Sequence, residues 1–211
     1  MNAKKEELGK KLEQVLHVYM FAQDAYLYTE YFHNPSSKEE LELVMNSPHS
    51  PELSVIMHLM FRTLVVETSK LFSRSDNDKF QLTKFIESLS SNGYFGDLGI
   101  SKEQIEKWEY RLEKSNETIN ETLLLRDKIY AHTENPLADY SEIDISFKKI
   151  KHLLDLAKDI ISNVYSELFD TGVIFDSPTF DKERFGILTL LAKAEAQRTK
   201  EIFDKYNFKA K

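Results

Sequence analysis

Apolar positions in this chain recur at helical spacing almost from end to end, and short polar runs containing Pro, Gly or Asn separate one period from the next. The pattern predicts a first helix from about Lys4 to Phe32, with Tyr19, Phe21, Tyr26, Tyr28, Tyr31 and Phe32 assigned to a core or a subunit interface. Asn34-Pro35 stops it, because Pro cannot continue the backbone ladder. Ser37 and Glu40 form a capping box for a short helix ending near Asn46. Ser50-Pro51 opens the next, with Ser as the cap and Pro at the first helical position. From Val55 to Val66 that helix is apolar on nearly every side, so a buried central helix is expected, with His58 as a core histidine. Its later half turns polar, and Glu67, Lys70 and Arg74 lie near one face.

Asp78 to Ser90 reads as another amphipathic helix. Ser101 and Gln104 form a second capping box and open a long helix to about Ala131. Its stripe runs Ile105, Trp108, Leu112, Ile119, with Ser115 in the gap. One further heptad from Ile119 lands on Arg126, since seven residues move only about 20° around a helix. A guanidinium in a core stripe is costly unless paired, which singles out Arg126. Asn135-Pro136 ends this region, so His132 falls in the last turn or just past it. Two more helices are expected, about Ile145 to Asp170 with Gly172 at its C-terminus, and about Gly186 to Tyr206. The fold class is all-α, an up-and-down helical bundle, taken as a single domain over residues 1–211.

Composition agrees, with only 6 Gly and 5 Pro in 211 residues. The absence of Cys excludes disulfides, thiolate metal sites and cysteine nucleophiles. His17, His33, His49, His58 and His152 show no ligand spacing, so no metal site is expected. A formal net charge of −7 argues against a general nucleic-acid binder and leaves room for a local basic site. Lys148-Lys149-Ile150-Lys151-His152 and the stretch from Lys193 to Lys211 are basic runs, read as solvated helix faces. Met1 is followed by a polar run, and the longest apolar stretch is interrupted by His58 and Arg62, so a cytoplasmic protein with no membrane segment is expected.

The chemistry is concentrated in Arg126-Asp127-Lys128-Ile129-Tyr130-Ala131-His132. A guanidinium fork suits a phosphate, and an imidazole moves a proton near neutral pH. Lys128 and His132, four apart, share one helix face, and Arg126 and Tyr130 share another. Arg126 and His132, six apart, stand about 120° from each other around a straight helix.

The string, and the wording LRDKIYAHTE from Leu125 to Glu134, resembles the HEPN superfamily. That signature is an Arg, four to six residues, then a His, often with a polar residue after the Arg, the slot Asp127 takes here. The matching core is about residues 53–170, with an N-terminal helix at 4–32 and a C-terminal helix at 186–206 appended. The resemblance implies a four-helix core that forms a homodimer, the motif-bearing helix ends meeting in one composite cleft. It further implies a metal-independent endoribonuclease of toxin or phage-defence type, with RNA as substrate, no cofactor, and a cognate antitoxin as partner. In that reading His132 is the general base or acid at a ribose 2′-OH, Arg126 contacts the scissile phosphate, and Asp127 orients either one. Lys128, Tyr130, Glu67 and Lys70 are the candidate substrate-binding residues. The implied products are a 2′,3′-cyclic phosphate and a 5′-hydroxyl. The alternative is a non-catalytic helical module that binds a partner protein or a nucleotide through the same helix ends.

Overall fold

Local capping chemistry fixes several helix boundaries, and tertiary packing fixes the rest. The computed structural model describes residues 3–75, 78–131, 146–177, 179–181 and 186–207, without the side chains of 128–131 and 207. Among these residues the protein is all-α, with helices α1 (Ala3–His33), α2 (Lys38–Asn46), α3 (Ser50–Phe72), α4 (Leu82–Leu89), α5 (Lys102–Lys114), α6 (Asn116–Ala131), α7 (Phe147–Phe169) and α8 (Ile187–Asn207). A single 3₁₀ turn, Gly96–Leu98, precedes α5. No described helix is long and apolar enough to cross a membrane.

At α2 the capping box forms as expected. The Ser37 hydroxyl accepts from the Glu40 N–H at 3.1 Å, and the Glu40 carboxylate accepts from the Ser36 N–H at 2.7 Å. Ser101 likewise accepts from the Gln104 N–H at 3.2 Å and opens α5. At α3 the first helical bond runs from Leu53 N–H to the His49 carbonyl, so the helix starts one residue earlier than Ser50 acting as a cap would require. The Ser50 hydroxyl instead donates backward to the Ser47 carbonyl.

Four expectations need correction. The helix placed over Asp78 to Ser90 begins only at Leu82, because Asp78 accepts from the Ser73 hydroxyl and Gln81 folds its side-chain amide back onto the Asp78 carbonyl, holding a turn there. The long helix from Ser101 to Ala131 breaks at Ser115, whose backbone sits at φ −91° and ψ 2° and whose hydroxyl pairs with His152 Nε2 at 3.1 Å. α7 is closed by Asp170 in the left-handed region at φ 50°, two residues before Gly172. Finally, the central helix is buried mainly in its second half, where Leu64 and Val65 are fully enclosed; in its first half Leu53 is buried, but Val55, Ile56, Leu59 and His58 are exposed. All-round apolarity marks surface that avoids water, without saying which molecule covers it.

Contacts divide the chain into two compact units, Met1–Tyr26 with Arg62–Ser177 and Leu27–Phe61 with Pro178–Lys211. The first is organised around α7, which buries Ile150, Leu153, Leu154, Ala157, Ile160, Ile161 and Val164 on one face at helical spacing. Trp108 on α5 and Leu8, Leu12 and Tyr19 on α1 are also buried there. The second unit has a smaller cluster of Tyr31, Phe32, Leu43, Val44, Leu53, Leu188 and Ala192. Two polar contacts, one buried and one part-buried, fix α8 in it: Tyr31 Oη accepts from the Leu188 N–H at 3.1 Å, and the Thr189 hydroxyl donates to Glu40. Each fully buried aliphatic side chain contributes about 1.5–3 kcal/mol, so a cluster this size holds its helices with little in reserve.

Candidate functional site at the end of α6

The backbone bends at Ser115, but the buried stripe of Ile105, Trp108 and Leu112 runs on in the same register through Ser115, Ile119 and Thr122. Beyond it Leu125 is buried, and Arg126, a heptad after Ile119, lies at the edge of the stripe. Arg126 is left half-buried, its side chain 28% exposed, with a carboxylate next door. Its Nε donates to Asp127 Oδ1 at 2.9 Å and its Nη2 lies 2.8 Å from the same oxygen. One edge of the guanidinium fork, the edge that grips oxyanions, is thus turned onto an anion already present.

Two polar contacts set the register of α6 against α7. Ser115 meets His152, and Glu121 meets Lys149 through both carboxylate oxygens at 2.9 and 3.1 Å. Residue numbers rise along one helix as they fall along the other, so the pair is antiparallel. Lys149 is in the first turn of α7, held there by the Ser146 cap. Arg126 lies five residues beyond Glu121, about 7.5 Å further along the axis at the α-helical rise. The last turns of α6 consequently overhang the start of α7, where the helix dipole is positive. Lys148, exposed in the same first turn, adds to the positive character of this end.

Other candidates fall elsewhere. Glu67 and Lys70 pair with each other at 2.5 Å on α3, and among the described residues no hydrogen bond or ion pair links them to Arg126 or Asp127. Arg74 bonds Asn116 Oδ1 at the opposite end of α6, about 15 Å along the axis from Arg126. There it borders a groove of about 490 Å³ with Lys84, Glu87, Glu109 and Glu113 on its walls and Phe72, Leu112 and Ile119 beneath. Lys128 and Tyr130 lie on α6, their side chains outside the described residues, as is all of His132.

Sequence reasoning missed Glu121 and Lys149. Lys149 was visible only as one member of a basic run and Glu121 only as one of two glutamates four apart, and what distinguishes them is the pairing across two helices. The available signal was Ser146 three residues before Lys149, which places that lysine in a first helical turn.

An antiparallel helix pair with Arg126 in the last turns of α6, in an all-α chain whose sequence runs on to His132, defines a class before it defines a reaction. The family model HEPN_AbiU2, described as AbiU2, matches residues 5–188, and the chain belongs to this HEPN family, which is associated with abortive infection. The match takes in α1 through α7 and stops at the second residue of α8. Comparison with curated proteins and comparison with solved structures each returned no match.

Proposed function

We propose that this chain is a metal-independent endoribonuclease of toxin or phage-defence type, acting as a cytoplasmic homodimer. The observation that carries the reading is Arg126 with Asp127 in the last turns of α6, in a chain of the HEPN family whose sequence runs on to His132. The chemistry follows from the residue types. His132, with a reference pKa near 6.5, removes the proton from a ribose 2′-OH. The 2′-oxygen attacks the adjacent phosphorus, the bond to the 5′-oxygen breaks, and an acid, the imidazole of the same or the second copy, returns a proton to that leaving oxygen. Arg126 stabilises the charge that builds on the phosphate oxygens. Asp127 holds the Arg126 fork in plane until a phosphate arrives. Lys128, Tyr130, Glu67 and Lys70 are proposed to contact the RNA, and a cognate antitoxin is the proposed partner that restrains it.

Six residues of straight helix would set Arg126 and His132 about 120° apart, and a cleft at a twofold axis supplies the facing pair: an Arg from one copy and a His from the other. The second reading is a non-catalytic helical module that binds a partner protein or nucleotide. The observations favouring it are the net charge of −7 and the Arg126 fork already engaged by Asp127.

One experiment separates the two. Total RNA and a transfer-RNA pool are incubated with wild type and with His132→Ala in EDTA, at matched folding. Cleavage by wild type alone, leaving 2′,3′-cyclic phosphate ends, is the expected result. Cleavage by neither protein selects the binding module. Equal cleavage by both removes His132 from the chemistry.

A further inference from the structure

The groove of about 490 Å³ at the Arg74 end of α6 has no part in the chemistry at Arg126, and its volume is that of a small-ligand site. Its charges are sorted by position. The turn before α4 is tied down by the Ser73 hydroxyl on Asp78 and by the Gln81 amide on the Ser75 and Asp78 carbonyls, and from that turn Arg74 reaches Asn116 at the start of α6. Lys84 stands in the first turn of α4, so both cations lie toward that end. Glu113 and Glu109 lie back along α5 from Asn116, about 4.5 and 10.5 Å at the helical rise, and Glu87 is one turn beyond Lys84. Among the described residues no hydrogen bond or ion pair engages these three carboxylates, and Arg74 bonds a neutral amide although they share its groove. Gln81 adds a further acceptor. It is only 3% exposed, and its Nε2 is held by two backbone carbonyls, which leaves Oε1 without a partner among these residues. The floor is apolar, with Phe72, Leu112 and Ile119. Ile119 also relates the groove to Arg126: the two are a heptad apart, so Arg126 stands on the same side of α6, about 20° around and about 10 Å further along.

We infer that this groove is a base-reading subsite for the RNA that the proposed function brings to Arg126, and that the base it takes is an unpaired guanine. The inference rests on that proposed function and adds a specificity to it. Single-stranded RNA is recognised through unstacked bases hydrogen-bonded on their Watson–Crick edges. An ionised carboxylate accepts and does not donate, so it suits an edge with donors side by side. Only guanine has one, its ring imino N–H beside its exocyclic amine. In adenine and cytosine the amine is flanked by a ring nitrogen lone pair, and in uracil the imino N–H lies between two carbonyls, so each of these turns a lone pair toward the glutamates. The apolar floor lies where a base would cover it, and Arg74 and Lys84, at the other end, suit a backbone phosphate. The sorting of charge thus matches a nucleotide, with acceptors for the base edge and cations for the backbone. Spacing agrees as well. Arg74 and Arg126 are about 15 Å apart along α6, which at about 3.4 Å per stacked nucleotide is about four nucleotides, fewer in an extended strand. One short strand reaches both.

The test is binding, read with 2′-O-methyl oligonucleotides, which lack the attacking hydroxyl and so report on the groove whether or not the protein cleaves. Fluorescence anisotropy compares a short oligouridine with the same strand carrying one guanine, one adenine or one cytosine, placed at each position in turn. The full chain is titrated as wild type, Glu109→Gln/Glu113→Gln and Arg74→Met, with helicity measured in parallel. All three positions are exposed, so the variants are expected to keep wild-type helicity. Glu87→Gln, on the other wall, replaces the double variant should that one misfold. The expected result is a guanine strand bound about tenfold more tightly than oligouridine by wild type. That preference should vanish in the double variant with oligouridine affinity unchanged, while Arg74→Met weakens all strands alike. Equal affinity for all four strands, no binding of any strand, or a guanine preference that survives in the folded double variant overturns the subsite. Spermidine binding that is lost in the double variant, with no guanine preference in wild type, overturns it in favour of an organic cation. Cleavage in the EDTA experiment without guanine preference overturns the groove and leaves the ribonuclease standing. Guanine preference without cleavage upholds the groove and removes the ribonuclease.

Discussion

Replacing Lys149 by Met removes one half of the ion pair that ties α7 to α6 and leaves the Glu121 carboxylate behind. The side chains are 22% exposed for Glu121 and 30% for Lys149, so the pair is neither solvated nor dry. An exposed pair contributes about 0–1 kcal/mol, and breaking a fully buried one costs about 3–5 kcal/mol. Partial burial with a bidentate contact places this variant between those limits, at about 1–2 kcal/mol. The same helix supplies the control: Lys151 pairs with Asp155 at 2.8 Å, but both side chains are more than half exposed, and Lys151→Met is expected to cost under about 0.5 kcal/mol. Urea unfolding of both variants, repeated at low and high salt, reads the difference. The Lys149 cost should persist in about 1 M salt, where surface pairs are screened within about 3 Å. A double-mutant cycle with Glu121→Gln should return a coupling of about 1 kcal/mol. Equal and salt-sensitive losses for Lys149→Met and Lys151→Met would refute the argument that the Glu121 contact sets the helix register.

Glu40 makes the second unit acid-sensitive. Burial raises its pKa, but hydrogen bonds from the Thr189 hydroxyl and from the Ser36 and Ser37 backbone outweigh that and leave it below the ordinary carboxylate value. A lowered folded-state pKa contributes stability that is fully present above about pH 4.5 and is lost as pH falls through the folded value. Glu40→Gln should flatten that acid limb in thermal unfolding followed between pH 3 and 6, and an unchanged limb would assign the acid sensitivity to another group. Leu188→Ala empties a fully buried site of the second cluster and is expected to cost about 2–4 kcal/mol in urea unfolding. A loss under about 1 kcal/mol would mean that the first turns of α8 do not close that core.

Much of the helical order was legible because its determinants are local. Ser37 and Ser101 announce their helices through a hydroxyl that bonds three residues on, and nothing distant is needed to see it. The break at Ser115 was hidden for the opposite reason: Ser in a stripe reads as a tolerated substitution until His152, on a helix thirty-seven residues away, supplies its partner. Asp170 in place of Gly172 as the left-handed terminator is a case where position outweighs residue preference, since Asp tolerates that region well enough when the helix has to end there. Apolarity from Val55 onward was seen correctly and placed in the wrong surroundings, because periodicity does not distinguish a side chain covered by its own chain from one exposed at the surface. At the site, Arg126 stood out by falling on an apparent core position. The structure leaves it half-buried at the edge of that stripe and pairs it with Asp127, the partner a guanidinium in such a place needs. What the sequence did not show is the overhang past α7, which depends on Glu121 and Lys149 finding each other.

The second unit is assembled from two pieces of chain, Leu27–Phe61 and Pro178–Lys211, and this has a temporal consequence. A ribosome delivers the first piece early. More than a hundred residues must follow before Leu188 and Ala192 emerge to complete the cluster around Tyr31, Leu43 and Leu53. At about 5–20 residues per second that interval is on the order of ten seconds, long enough for a holdase to engage the waiting apolar surface. The first unit is synthesised within the same interval and is complete at Ser177, about ten residues before Leu188 follows. A nascent chain interrupted between the two stages would carry the Arg126 helix in a formed unit while its neighbour stayed open to proteolysis, so the cell could dispose of incomplete copies before they are ever paired.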